Sequence, residues 1–186
     1  MIGIILRLRI ASPAMRRTAF VLTLFLPLMV LAQSGEKNNS SEAAARKPFV
    51  GTWRLVSSTE VLPDGTQRPY GFGAHPDGIL MYDAHGYMCA QVVNTDRPKW
   101  KDPDHPTPEE VKTAFDGFGG YCGTYTVDPK NSTLAHIPKV PFAPDLVDQP
   151  KPRTYKFEKG KLVYTGTEPF EGGGETHWTM TWERVK

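Results

Sequence analysis

The sequence predicts an all-β fold: an antiparallel meander closed into a barrel of about eight strands, with one short helix. Three observations carry this. From Phe49 to Val185, apolar and polar residues alternate in short runs, the period-2 pattern of half-buried strands. Turn signals rich in Gly, Pro, Asp and Asn separate those runs at short spacing. Only one segment, after Thr107-Pro108-Glu109-Glu110, carries a helical pattern, and no repeat of solenoid period occurs.

The first predicted strand is Phe49–Val61. Phe49, Gly51, Trp53 and Leu55 share one face, while Thr52 and Arg54 hold the polar one. A Gly two residues before a Trp has a physical use. It removes a side chain so that another backbone can approach, and the Trp supplies an apolar plate to close a barrel end. Pro63-Asp64-Gly65 reads as a turn and Tyr70–Gly78 as a loop. Ile79–Tyr82 and Tyr87–Asn94 are strands joined by the hairpin turn Asp83-Ala84-His85-Gly86.

A charged, Pro-rich loop follows from Thr95 to Pro106. Thr107 then caps a helix, Pro108 takes its first position, and Glu110 completes a capping box. Val111, Ala114, Phe115 and Phe118 form its apolar stripe, and Gly119-Gly120 ends it. Such a helix either covers a barrel mouth or packs outside. Five further strands are predicted: Tyr121–Val127, Ser132–Val140, Pro152–Phe157, Lys161–Thr167 and Glu175–Val185. Pro141–Pro150 is a longer loop.

Residues 1–32 read as a secretory signal peptide, and the domain proper as residues 48–186. Arg16-Arg17 precede an apolar run from Ala19 to Leu31, and Val30 with Ala32 suits cleavage after Ala32. Initiation at Met1 or Met15 both fit. An uncleaved anchor is the competing reading, but the run is shorter than the roughly 20 apolar residues a spanning helix needs. The expected location is periplasmic or extracellular, with no stable membrane anchor after cleavage. Residues 33–47 are small and polar and read as a disordered tether. The precursor carries 22 basic and 20 acidic residues. Loss of Arg7, Arg9, Arg16 and Arg17 leaves 18 basic residues against the same 20 acidic ones, a net charge of −2. No basic stripe remains, which argues against nucleic acid as a partner.

Cys89 and Cys122 are the two cysteines, both in predicted strands. After export they either pair across neighbouring strands or stay as two small core residues. In a barrel, alternate residues face inward. Apolar parity puts Trp178, Met180 and Trp182 inward on the last strand, with Arg184 on the same face. Trp53 and Arg184 are then expected to meet by cation–π contact, a structural role. The same test turns Tyr155 and Phe157 inward with Arg153 beside them, and Tyr121, Tyr125 and Val127 inward with Cys122 outward. A disulfide would put Cys89 outward too, leaving Met88, Ala90 and Val92 inward. His136 shares a face with Leu134, and Leu80 with Tyr82.

The expected lumen is therefore aromatic, with Tyr82, Tyr121, Tyr125, His136, Arg153, Tyr155, Trp178 and Met180 as its candidate ligand-binding residues. It suits a small hydrophobic or aromatic molecule. Arg153 can pair with a carboxylate and His136 can exchange a proton. Their plainer roles are a rim side chain and a hydrogen-bonded core histidine. His136 is the one weak catalytic candidate. The five histidines lack metal-ligand spacing, and no nucleophile elbow, phosphate loop or nucleotide fingerprint occurs, so no metal and no cofactor are expected.

Several segments together resemble the bacterial and fungal lipocalin-like domain family, small β-barrels of the calycin type. They are Val50-Gly51-Thr52-Trp53-Arg54-Leu55, Gly78–Tyr82, Gly86–Gln91, Ala114–Phe118, Gly123–Val127 and Thr181–Val185. The Gly-x-Trp opening is similar to the first lipocalin strand. The resemblance implies the fold over nearly all of Phe49–Lys186 and implies no particular activity. Cys89 and Cys122 stand where the family is expected to hold small residues such as Ser. Three functions follow for such a barrel: a carrier of a small apolar ligand, a cofactor-independent isomerase or cyclase in the same cavity, or a protein-interaction module with a filled barrel.

Overall fold

The computed structural model describes residues 40–186. The proposed signal peptide and residues 33–39 of the tether lie outside them. Nine strands form one antiparallel sheet: β1 (Gly51–Val61), β2 (Gln67–Pro69), β3 (Pro76–Tyr82), β4 (Tyr87–Asn94), β5 (Phe118–Asp128), β6 (Thr133–Pro141), β7 (Lys151–Glu158), β8 (Lys161–Pro169) and β9 (Glu175–Arg184). The spatial order is β2-β1-β3-β4-β5-β6-β7-β8-β9, and β1 also pairs with β9. Eight strands thus close into a barrel, with β2 as an extra strand on the far half of β1.

The inward set follows the period-2 pattern. Trp53, Leu80, Tyr82, Met88, Val92, Tyr125, Leu134, Trp178, Met180 and Trp182 are all buried. One end is sealed by aromatic packing. Phe49 is fully buried and meets Tyr155 edge-on at 4.8 Å between ring centroids, and Phe157 at 5.2 Å. The Arg184 guanidinium lies 4.1 Å from the Trp53 ring and donates to the Val50 and Pro48 carbonyls. Gly51 makes room for it: its φ is +130°, and a Cβ there would stand 2.5 Å from Arg184 Nη1. Cys89 and Cys122 face each other directly across β4 and β5 and are bonded as a disulfide.

Four details differ from the sequence expectation. Residues 40–46, expected to be tether, are helical, with Arg46 paired to Glu42 at 2.9 Å and set over the Tyr125 ring. The strand β2 was hidden because its three residues, Gln67, Arg68 and Pro69, are all exposed and lack an apolar face. A bulge between Leu55 and Ser57 flips the parity of β1, so Ser58 and Glu60 are buried, and Glu60 is held by Arg68 Nε at 2.8 Å.

The helix is the fourth. It runs Pro108–Asp116 with the expected Thr107–Glu110 capping box, but it ends at Gly117. Arg97 Nη1 donates to the Ala114 carbonyl at 2.9 Å and satisfies that end. Gly119 and Gly120 belong instead to β5, opposite Val92 and Gln91. Val111 and Phe115 remain about half exposed, and the Phe115 ring packs against Phe142, with centroids 5.1 Å apart. The helix packs beside the barrel and does not plug it.

Trp53→Ala is expected to lower the unfolding free energy by about 3–5 kcal/mol, as for other buried large-to-small changes. Arg184→Met should cost about 0.5–2 kcal/mol, the range of a cation–π pair; urea unfolding measures both. Thiol alkylation should find no free cysteine before reduction, and the double change Cys89→Ser, Cys122→Ser should cost about 2–4 kcal/mol.

Candidate functional site

The barrel holds a cavity of about 420 Å³. Its inner wall is built by inward residues of six strands: the buried Leu80 of β3, Val92 of β4, His136 of β6, and Trp178, Met180 and Trp182 of β9, with the partly buried Tyr121 of β5 and Arg153 of β7. Its rim comes from exposed or half-exposed residues, among them Phe72, Phe142, Leu146, Pro152, Thr167 and Glu168. The rim therefore lies at the end opposite the Trp53–Arg184 seal. Tyr70 stacks on Trp178 with centroids 5.6 Å apart and planes 7° apart, and its hydroxyl donates to Glu168 at 2.6 Å. Burial, then that carboxylate, raises the Tyr70 pKa far above its ordinary value, so it stays a phenol. Gly166 lets the Trp178 indole lie flat against β8, since a Cβ there would come within 2.3 Å of Cζ2.

One polar chain crosses this apolar interior. Arg153 Nη2 donates to the Tyr121 hydroxyl at 3.2 Å, and that hydroxyl lies 2.8 Å from His136 Nδ1. His136 Nε2 is hydrogen-bonded to the Tyr82 hydroxyl, which lies 2.6 Å from the Tyr164 hydroxyl. His136, Tyr82 and Tyr164 are buried. Burial first, and the nearby Arg153 cation second, hold the His136 pKa well below 6.5, so the imidazole is neutral. Burial, then the neighbouring Tyr164, holds Tyr82 protonated. Burial opposes the charge on Arg153, but the surrounding tyrosine oxygens outweigh it and its pKa is raised. The guanidinium also sits 5.4 Å from the Tyr164 ring centre.

Of the eight candidate ligand residues, Tyr121, His136, Arg153, Trp178 and Met180 line the cavity. Three do not. Tyr82 is one layer back and holds His136 from behind. Tyr125 belongs to the sealed end, where its hydroxyl donates to the Asp83 carbonyl at 2.8 Å and burial raises its pKa to about 12. Tyr155 packs on Phe49 at the same end. Parity assigns a side chain to the inside but not to a depth, which is why these three were grouped with the rest. Tyr164 was missed because Leu162, Val163 and Tyr164 form an unbroken buried run with no alternation to read. The loop residues Tyr70, Phe72, Phe142 and Leu146 gave no strand signal. Trp182 had been turned inward by parity but was not counted as a site residue.

The lipocalin-like domain model matches residues 50–185. The chain belongs to the lipocalin-like domain family. No curated protein matches it in sequence. Among solved structures the siderocalin Ex-FABP is similar at 9% identity, over 74% of this chain and 71% of that one, with a TM-score of 0.28. A similarity of that size says nothing about ligand. The closed antiparallel barrel agrees with that family.

Unfolding exposes His136 and returns it to its ordinary pKa near 6.5. Below that pH the unfolded chain binds a proton that the folded chain refuses, so stability is full above it and falls as pH falls. Urea midpoints should decline from about pH 6.5 to 5 in the wild type and decline less in His136→Gln.

Proposed function

We propose that this protein is an exported carrier that holds a small hydrophobic or aromatic molecule inside the barrel. The observation that carries the reading is the cavity itself. At about 420 Å³ it falls within the roughly 300–1,000 Å³ of small-molecule sites. Its wall is mostly apolar and aromatic, with Tyr121, His136 and Arg153 as polar groups of the interior and Tyr70, Lys151, Thr167 and Glu168 toward the rim. A filled barrel, the requirement of a pure interaction module, is not what these side chains build. Catalysis by His136 is disfavoured by its bonding, since both ring nitrogens are engaged by tyrosines and neither is free to take a proton from a substrate. Export is supported by the Arg-led apolar run at residues 1–32 and by the Cys89–Cys122 disulfide, a bond that persists in oxidising compartments.

Native mass spectrometry of the protein purified from its own compartment tests this. A stoichiometric added mass, released on denaturation, is the expected result. Ala90 lines the cavity, and Ala90→Phe should fill part of it and weaken binding of that molecule at least tenfold while the thermal unfolding transition stays cooperative. Unchanged affinity in that variant would place the molecule elsewhere on the protein.

A further inference from the structure

The hydrogen-bond chain through the barrel has a direction, and the direction identifies the ligand chemistry. Tyr164 is fully buried, and its hydroxyl has one partner among the described residues, the Tyr82 hydroxyl. A buried O–H left without an acceptor costs about 1–3 kcal/mol, so Tyr164 donates to Tyr82. Tyr82 then has one proton to give and one acceptor left, His136 Nε2. A neutral imidazole carries its proton on a single nitrogen, so that proton sits on Nδ1. Nδ1–H donates to the Tyr121 oxygen, which also accepts from Arg153 Nη2.

Both lone pairs of the Tyr121 oxygen are thereby used. Its own O–H has no acceptor among the described residues, and Tyr121 is a partly buried wall residue of the cavity. Arg153 is in a matching position. Its partners are the Tyr121 hydroxyl and the Lys151 carbonyl, none of them a carboxylate, and its Nη1 makes no hydrogen bond among the described residues. A guanidinium on the wall of an apolar cavity without a counter-ion is a costly arrangement unless an anion completes it.

We propose, resting on the carrier reading above, that the cavity takes a monocarboxylic acid with an apolar body. Its carboxylate accepts from the Tyr121 O–H and from Arg153, and its body lies along Leu80, Val92, Met180 and Trp182. At this pole one guanidinium and one hydroxyl donor suit a singly charged carboxylate; the other charged lining residues, Lys151 and Glu168, are of opposite sign, and Glu168 accepts from Tyr70. His136 is a positioning residue. It acts on the carboxylate through Tyr121, by keeping that hydroxyl from spending its proton on the ring. Tyr82 and Tyr164 set its tautomer from behind.

The test compares 2-naphthoic acid with 2-naphthylmethanol, which differ in the anionic group and share the apolar body. Calorimetry or quenching of Trp178 and Trp182 fluorescence reads both. The acid is expected to bind at least tenfold tighter. Arg153→Met should bring the two within about twofold, chiefly by weakening the acid. Tyr121→Phe, a smaller change to the fold, should weaken the acid severalfold and leave the alcohol unchanged. Nitrogen-15 NMR of His136 should show a protonated Nδ1 and a bare Nε2. Equal binding of acid and alcohol overturns the carboxylate assignment and leaves the carrier reading standing. An acid preference that survives both substitutions overturns it too. A proton on Nε2 overturns the direction of the chain and with it the role of Tyr121. Binding of neither probe overturns the carrier reading together with this one.

Discussion

The pairing of β1 with β9 is the constraint on which the rest depends. Without it the sheet has two open edges and no inside. With it, Trp53 comes opposite Arg184 and Leu55 opposite Trp182, so the first and last strands supply facing walls. The same closure lets the Arg184 guanidinium enter the space that Gly51 vacates and cover the Trp53 ring. One end is then shut by aromatic rings, and the opposite rim is left to loops. The cavity is the volume that inward side chains of a closed eight-strand barrel leave unfilled above that seal.

Putting polar groups into such an interior imposes a second constraint. A hydroxyl or imidazole nitrogen taken out of bulk water is costly unless it finds a partner. Tyr164, Tyr82, His136 and Tyr121 meet that need by bonding in sequence, and Arg153 joins at the cavity end. Four residues from four separate strands thus behave as one unit. Burial keeps the imidazole neutral and Tyr82 and Tyr164 protonated, so the unit has little freedom to rearrange. Under the carrier role proposed above, a rigid polar pole inside an otherwise apolar pocket is the feature that would select among apolar molecules.

Much of this was legible in the chain. Alternation at Trp178, Met180 and Trp182, and at Met88, Ala90 and Val92, assigned the inward faces. The Gly51-Trp53 spacing and the Arg184 parity located the seal. Thr107 and Glu110 located the start of the helix, since capping is chemistry between residues three apart. The errors have physical causes. Tyr125 and Tyr155 share parity with Tyr121 and Arg153, but each lies further along its strand, at the sealed end of the barrel. The bulge at Val56 inverts the faces of the residues after it, and no local pattern announces it. The helix end moved because Arg97, distant in sequence, caps it.

By itself, then, the sequence determined the fold class, the eight barrel strands and most of the side chains that point inward, because these follow from interactions between near neighbours and from a period of two. The tertiary structure decided the depth of each inward residue, the open and sealed ends, and the partners of His136. Those depend on strand tilt, register and closure, which bring Tyr82, Tyr121, His136 and Tyr164 together from four strands. A hydrogen-bond chain between residues so far apart leaves no periodic trace in the order of amino acids.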